Sequence, residues 1–274
     1  MFDSSPRGET FTAMELITSK DNRTVKYIKK LISSASFRRE EGCFVAEGVR
    51  LCGDALRSGA AVTMAVFSES YTAKQGSLID GCRASGAVCY SVRDSIFSAL
   101  SDTKTPQGVL FVIKRLDKTL DFDTMKKNGN ILALESIQDP SNLGTILRTA
   151  EALGVDAVVL SRDCCDVYAP KVIRGSMGAV FRLPMMIAQD LPAFIGEFSR
   201  VGTSYAAVLD RQARPVSEYD FSSLSMCVLG NEGNGLTNAA VAACGHTLFI
   251  PMPGGAESLN VSAAAAIILW EMIK

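Results

Sequence analysis

Three loops of this 274-residue chain hold the side chains whose types and spacing could do chemistry. The first is N-L-G-T-I-L-R, Asn142 to Arg148. The second is L-G-N-E-G-N-G-L, Leu229 to Leu236. The third is I-P-M-P-G-G-A-E-S-L-N-V-S, Ile250 to Ser262. Glycine lets backbone amides approach a ligand closely, and Gly230, Gly233 and Gly235 would serve for that. A turn needing positive φ gives the same pattern. Their G-x-x-G-x-G spacing is neither the dinucleotide fingerprint nor a P-loop. Glu232 either binds substrate or holds its loop together. Ser258 and Asn260 precede an alanine-rich helix, which either could simply cap. Arg148 lies off the apolar stripe of its helix, so the core does not explain it, whereas pairing with Glu151 at i, i+3 would.

These loops need elements to position them. Ile131 to Leu134 form a short apolar run, as expected of a strand buried on both faces. Asp139 to Asn142 form a turn in which Ser141 or Asn142 can cap a helix. That helix buries Leu143, Ile146, Leu147, Ala150 and Leu153 and ends at Gly154. Ala157 to Leu160 start the next strand. Further strands fall near Met185–Ile187, Tyr205–Leu209, Met226–Leu229 and Leu248–Ile250, with helices over 170–177, 192–201 and 261–273. Alternating strands and helices predict a mostly parallel sheet with ligands at the carboxyl ends of its strands. Each glycine- or asparagine-rich loop follows a strand.

Before this region, Asn22 to Ser34 interleave Arg23, Lys26, Lys29 and Lys30 with Val25, Ile28, Leu31 and Ile32, a basic amphipathic helix. Arg38 and Arg39 follow. Such a face is either solvated or laid against an RNA backbone. Short strands at Phe44–Val45, 62–67, 88–90 and 109–113, with helices between, make a small α/β domain. The expected organisation is a flexible extension 1–13, a domain over 14–115, a charged linker 116–129 and a second domain over 130–274. Residues 1–115 hold 16 Lys/Arg and 12 Asp/Glu, and 116–274 hold 12 and 17. The net charge of -1 therefore hides a basic first half, the half expected to grip a polyanion.

Composition excludes several classes. No apolar run reaches membrane-spanning length and no signal-peptide core opens the chain, so a cytoplasmic protein is expected. The eight cysteines form no C-x-x-C pair, and reduced thiols are expected; adjacent Cys164 and Cys165 are at most redox candidates. A single histidine, His246, argues against zinc and multi-histidine chemistry, so no metal is expected. His246 heads an apolar run and reads as structural.

Taken together and in order, the three loops resemble the sequence motifs of the SpoU (TrmH) family of RNA 2'-O-ribose methyltransferases, within the SPOUT superfamily. The match runs from Ile131 to the C-terminus. F-V-A-E-G-V-R at Phe44–Arg50 and T-P-Q-G-V at Thr105–Val109 resemble the substrate-binding domain that often precedes it. The resemblance implies an α/β chain: a small N-terminal RNA-binding domain, then a mostly parallel SPOUT domain with a C-terminal trefoil knot. It implies S-adenosyl-L-methionine as cofactor, RNA as partner, ribosomal more than transfer RNA, and a homodimer with each site near the interface. The small residues Ala263–Ala266 would suit close helix packing there. Leu209, Gly230, Asn231, Gly235, Ile250, Met252 and Leu259 match cofactor-binding positions. Asn142, Arg148, Glu232, Ser258 and Asn260 match catalytic and substrate-orienting positions. Arg23, Lys26, Lys29, Lys30, Arg38 and Arg39 would contact RNA.

Methyl transfer to a ribose hydroxyl is an in-line displacement on an already activated sulfonium. The protein must align the oxygen and help remove its proton. Arginine's pKa above about 12 makes Arg148 a poor base; gripping the adjacent phosphate and stabilising the alkoxide is physically easier. Two other readings compete. One is a non-catalytic RNA-binding protein of the same fold acting in ribosome assembly, the other a dinucleotide-dependent enzyme. The second lacks its fingerprint here.

Overall fold

The computed structural model describes residues 14–74, 78–210 and 212–274. The expected extension 1–13 lies outside the described residues. Two sheets follow one another along the chain. The first contains β1 (Glu15–Ile17), β2 (Cys43–Glu47), β3 (Val62–Ser68), β4 (Val88–Val92) and β5 (Val109–Lys114) in the order β1-β4-β3-β5-β2. β4 runs parallel to β1 and β3, while β5 is antiparallel to β3 and β2. Between these strands lie α1 (Arg23–Ser33), α2 (Ala35–Glu41), α3 (Val49–Arg57), α4 (Glu69–Ala73), α5 (Leu78–Ala84) and α6 (Asp94–Leu100). In α1, Val25, Ile28 and Leu31 recur at helical spacing and are buried, which turns the basic residues outward. β1 has no counterpart in the sequence reading: three residues are too few to show a strand's alternation.

The second sheet contains β6 (Asn130–Leu134), β7 (Ala157–Ser161), β8 (Met185–Ala188), β9 (Thr203–Ala207), β10 (Arg214–Pro215), β11 (Ser225–Leu229) and β12 (His246–Phe249). Its order is β10-β12-β9-β11-β6-β7-β8, and every neighbouring pair is parallel. All five residues of β7 and of β11 are buried, which explains their uninterrupted apolar runs. The accompanying helices are α7 (Pro140–Ala152), α8 (Pro170–Gly175), α9 (Leu191–Phe198), α10 (Asn238–Ala243) and α11 (Val261–Ile273).

The two sheets share one buried apolar layer. Phe44 of β2 lies 4.6 Å, centroid to centroid, from Tyr168, and both are almost fully buried. Among the described residues no helix is long and apolar enough to cross a membrane. His246 opens β12 at the sheet's amino edge, exposed and stacked with its ring centroid 5.6 Å from that of Tyr205.

Candidate active site

Because the second sheet is parallel, the carboxyl ends of β12, β9, β11 and β6 lie side by side. The loops that follow them meet at one edge. Leu209 comes just after β9, Gly230 just after β11 and Ile250 just after β12. The strand expected to reach Leu209 stops at Ala207, leaving Leu209 in the loop and 68% exposed.

α7 begins earlier than expected. Its cap is Asp139, whose side chain accepts from the Ser141 amide at 2.7 Å, and Pro140 takes the first helical position. Asn142 is therefore inside the first turn, and its side chain is free for other partners. Its Nδ2 donates to Glu232 Oε1 at 3.0 Å, and its Oδ1 accepts from Asn260 Nδ2 at 3.0 Å. Asn260 also caps α11 through the Ser262 amide at 2.9 Å. Cap and site residue, alternatives in the sequence, are both true of Asn260. Ser258 and Leu259 line the same cleft, of about 600 Å³, with Gln138, Asp139, Asn142, Asn231 and Glu232.

Glu232 holds the first loop to the second. Besides Asn142, it accepts from the amides of Asp139 at 3.1 Å and Gln138 at 3.2 Å. Burial raises its pKa, but the hydrogen bonds, led by that of Asn142, outweigh it and leave the carboxyl below its ordinary value. Glu232 is thus an ionised acceptor at neutral pH.

The glycine loop is closed on itself. Asn231 and Gly235 exchange backbone hydrogen bonds at 3.0 Å, and Asn231 Oδ1 accepts from the amides of Gly233 and Asn234. A Cβ on Gly230 would fall 2.2 Å from the Gly235 carbonyl carbon, so no other residue fits there. Asn231 Nδ2 donates to Ser136 O at 2.8 Å. Asn231 and Gly235 therefore shape the loop. Among the described residues, the backbone amides of Ile250, Met252 and Leu259 have no hydrogen-bond partner. Of these residues only Leu259, 38% exposed, lines the cleft, and free backbone donors of this kind suit an adenosine moiety.

Arg148 lies six positions beyond Asn142, about 240° further round α7, and does not line the cleft of its own chain. Pairing with Glu151 does not explain it either, because Glu151 accepts from Arg182 Nε at 2.6 Å. Among the described residues Arg148 has no hydrogen bond or ion pair and is exposed.

One expectation is corrected. Arg38 is not available to RNA: it is 4% exposed and ion-paired to Asp166 at 2.7 Å. Arg23, Lys26, Lys29, Lys30 and Arg39 are exposed. Cys164 and Cys165 are free, part-buried thiols whose pKa burial pushes up, to about 12 for Cys165, which disfavours redox chemistry.

Sequence reasoning missed Ser136, Asp163 and Ser262. Ser136 has φ 55, uncommon for serine. Its amide donates to Ser161 Oγ at 2.9 Å and its hydroxyl to Asp163. Only the run of small polar residues around it hinted at a turn. Gly144 was also missed: it brings α7 against Gly175 of α8, where a Cβ would meet Gly175 Cα at 2.9 Å.

Residues 129–270 match the family model of the SpoU rRNA methylase family, and residues 22–110 that of the MRM3-like substrate-binding domain. The 23S rRNA (guanosine(2553)-2'-O)-methyltransferase RlmP of Bacillus subtilis is 32% identical over 94% of this chain and 99% of its own length. The 23S rRNA (uridine(2479)-2'-O)-methyltransferase of Streptomyces viridochromogenes is 27% identical over 98% and 95%. The AdoMet-bound rRNA methyltransferase structure from Sinorhizobium meliloti superposes with a TM-score of 0.85 at 29% identity, covering 94% of this chain and 97% of that one.

Proposed function

The chain belongs to the SpoU rRNA methylase family, and on that premise we propose that it transfers a methyl group from S-adenosyl-L-methionine to a ribose 2'-hydroxyl of ribosomal RNA. The observation that carries this is the Glu232–Asn142–Asn260 array, which lies beside the loops after β9, β11 and β12. The relatives named above act on a guanosine in one case and a uridine in the other, so the base itself is left open.

The cofactor supplies an electrophilic methyl on a sulfonium. Gly230, Ile250, Met252 and Leu259 would hold its adenosine through backbone groups, with Leu209 as an apolar wall. Asn142 and Asn260, fixed by Glu232, would orient the ribose, with Ser258 at the rim of the cleft. Arg148 would hold the neighbouring phosphate and stabilise the oxygen as its proton leaves.

The division into 14–115, 116–129 and 130–274 goes with this reading. The first part binds RNA through Arg23, Lys26, Lys29, Lys30 and Arg39, and the last carries the transfer. The working unit is a homodimer. α11 carries apolar residues on its outer face as well as its buried one, with Ile267 40%, Trp270 58% and Ile273 39% exposed, a face that a second copy would cover. The unpartnered Arg148 would then enter the cleft of the other copy. The trefoil knot and a cytoplasmic location complete the proposal.

Labelled methyl transfer to separated ribosomal and transfer RNA lacking native modification tests it, with Arg148→Ala as the control. Label in ribosomal RNA that the mutant loses is expected. Label in neither RNA, with no cofactor binding, overturns the reading.

A further inference from the structure

The cleft does not stand alone: it is tied to the basic helix α1 through one buried ion pair. Arg38 Nη1 donates to the carbonyls of Leu31 at 2.6 Å and Ile32 at 3.0 Å, at the carboxyl end of α1. Its Nε donates to Asp166 Oδ2 at 2.7 Å, and the two side chains are 5% and 12% exposed. Asp166 ends a segment whose other contacts reach the catalytic loops. Cys165 N donates to Ile137 O at 2.7 Å, and Gln138 Nε2 to Asp163 O at 2.8 Å. The Gln138 amide in turn holds Glu232.

We propose that Arg38 and Asp166 are positioning residues for methyl transfer, fixing the register between α1 and the Glu232–Asn142–Asn260 array. This rests on the RNA methyltransferase reading above. The apolar contact between Phe44 and Tyr168 attracts without direction, so it permits sliding. The planar Arg38 fork has three acceptors at fixed directions and does not. A buried ion pair contributes little net stability relative to well-packed apolar residues, so holding the fold together is a weak reason for one here. Two further ion pairs between the halves, Arg174 with Asp102 at 2.8 Å and Arg182 with Asp54 at 4.0 Å, are more exposed and more readily screened.

Asp166→Asn removes the charge but keeps an oxygen for the Tyr168 amide, which Asp166 Oδ1 now accepts at 3.0 Å. Arg38→Lys keeps the charge without the fork. Both are assayed in the full chain, well below the melting temperature, on unmodified large-subunit ribosomal RNA transcribed in vitro. A misplacement of about 1 Å predicts a kcat lowered about tenfold or more in Asp166→Asn, with RNA KM and cofactor Kd within about threefold. Arg38→Lys should fall between it and the wild type. Hydrogen exchange should quicken at 136–142 as well as at 31–41. An unchanged kcat per folded molecule overturns the proposal, as does a fall matched by lost cofactor affinity. If the wild type transfers no methyl to RNA, the function is what fails. The pair is then judged by hydrogen exchange, and faster exchange confined to 31–41 overturns it.

Discussion

Asn260 donates from Nδ2 to Oδ1 of Asn142 across 3.0 Å, and the direction of that bond is forced from both ends. Glu232, an ionised acceptor, compels Asn142 to present its NH2. The Ser262 amide, a donor, compels Asn260 to present its carbonyl oxygen. Asn142→Asp would set a second carboxylate against Glu232, where the like charges repel and raise the pKa of one of the two. Transfer at pH 8 should fall about 100-fold or more, the size expected when a preorganised group is lost. Cofactor affinity measured by calorimetry should hardly change. Activity should partly recover as pH falls, because a shared proton restores a donor. A pH-independent loss would contradict this account.

Glu232 gives the opposite pH behaviour in the wild type. Its folded pKa lies below the ordinary 4.5. The stability it contributes is therefore fully present above that value and is lost as pH falls through the lower folded one. Glu232 should add no pH dependence to the melting temperature over pH 6–9, where the gap between wild type and Glu232→Gln is constant, and that gap should close in acid. Gln loses one acceptor oxygen, a cost of about 1 kcal/mol, the low end because the carboxylate is exposed. Thermal melts of both proteins at neutral and acid pH check this.

The strand–helix alternation and the three loops were legible because periodicity and glycine spacing are local signals. Side-chain pairings were not. Arg38 looked like one more cation in a basic run, and its burial follows from Asp166, 128 residues away. The i, i+3 rule offered Glu151 to Arg148, but tertiary packing brought Arg182 closer. The turn offers Ser141 or Asn142 as the cap of α7, but Pro140 suits the first helical position, which moves the cap to Asp139. The array itself joins residues 90 and 118 positions apart, a separation no local pattern encodes.

The exposed face of α11 predicts the assembly. Trp270→Glu places a charge on a surface that a second copy would bury, so the protein should sediment as a monomer with unchanged circular dichroism. Trp270 is 58% exposed within one chain, so its replacement opens no core cavity. Transfer should fall with the dimer. A mutant that stays dimeric would move the interface elsewhere.

RNA affinity should depend on salt through α1. Lys29 is exposed and makes no salt bridge among the described residues, feeling Asp21 only at longer range, whereas Lys26 pairs with Asp21 at 2.9 Å. Lys29→Ala should reduce the slope of log K against log salt by about 1 if it meets a phosphate. An unchanged slope would return this face of α1 to solvent.

If Arg148 acts in the cleft of the other copy, two inactive mutants should complement. Arg148→Ala retains Asn260, and Asn260→Ala retains Arg148. A mixed dimer would then contain one site with both residues and one with neither. Equal mixing makes about half the dimers mixed, so about a quarter of wild-type transfer should return after subunit exchange. If Arg148 serves its own chain, every site in the mixture lacks one residue and nothing returns. The unpaired Arg148 side chain, pointing away from Asn142 on α7, favours complementation, and the activity of the mixture read against each mutant alone decides it.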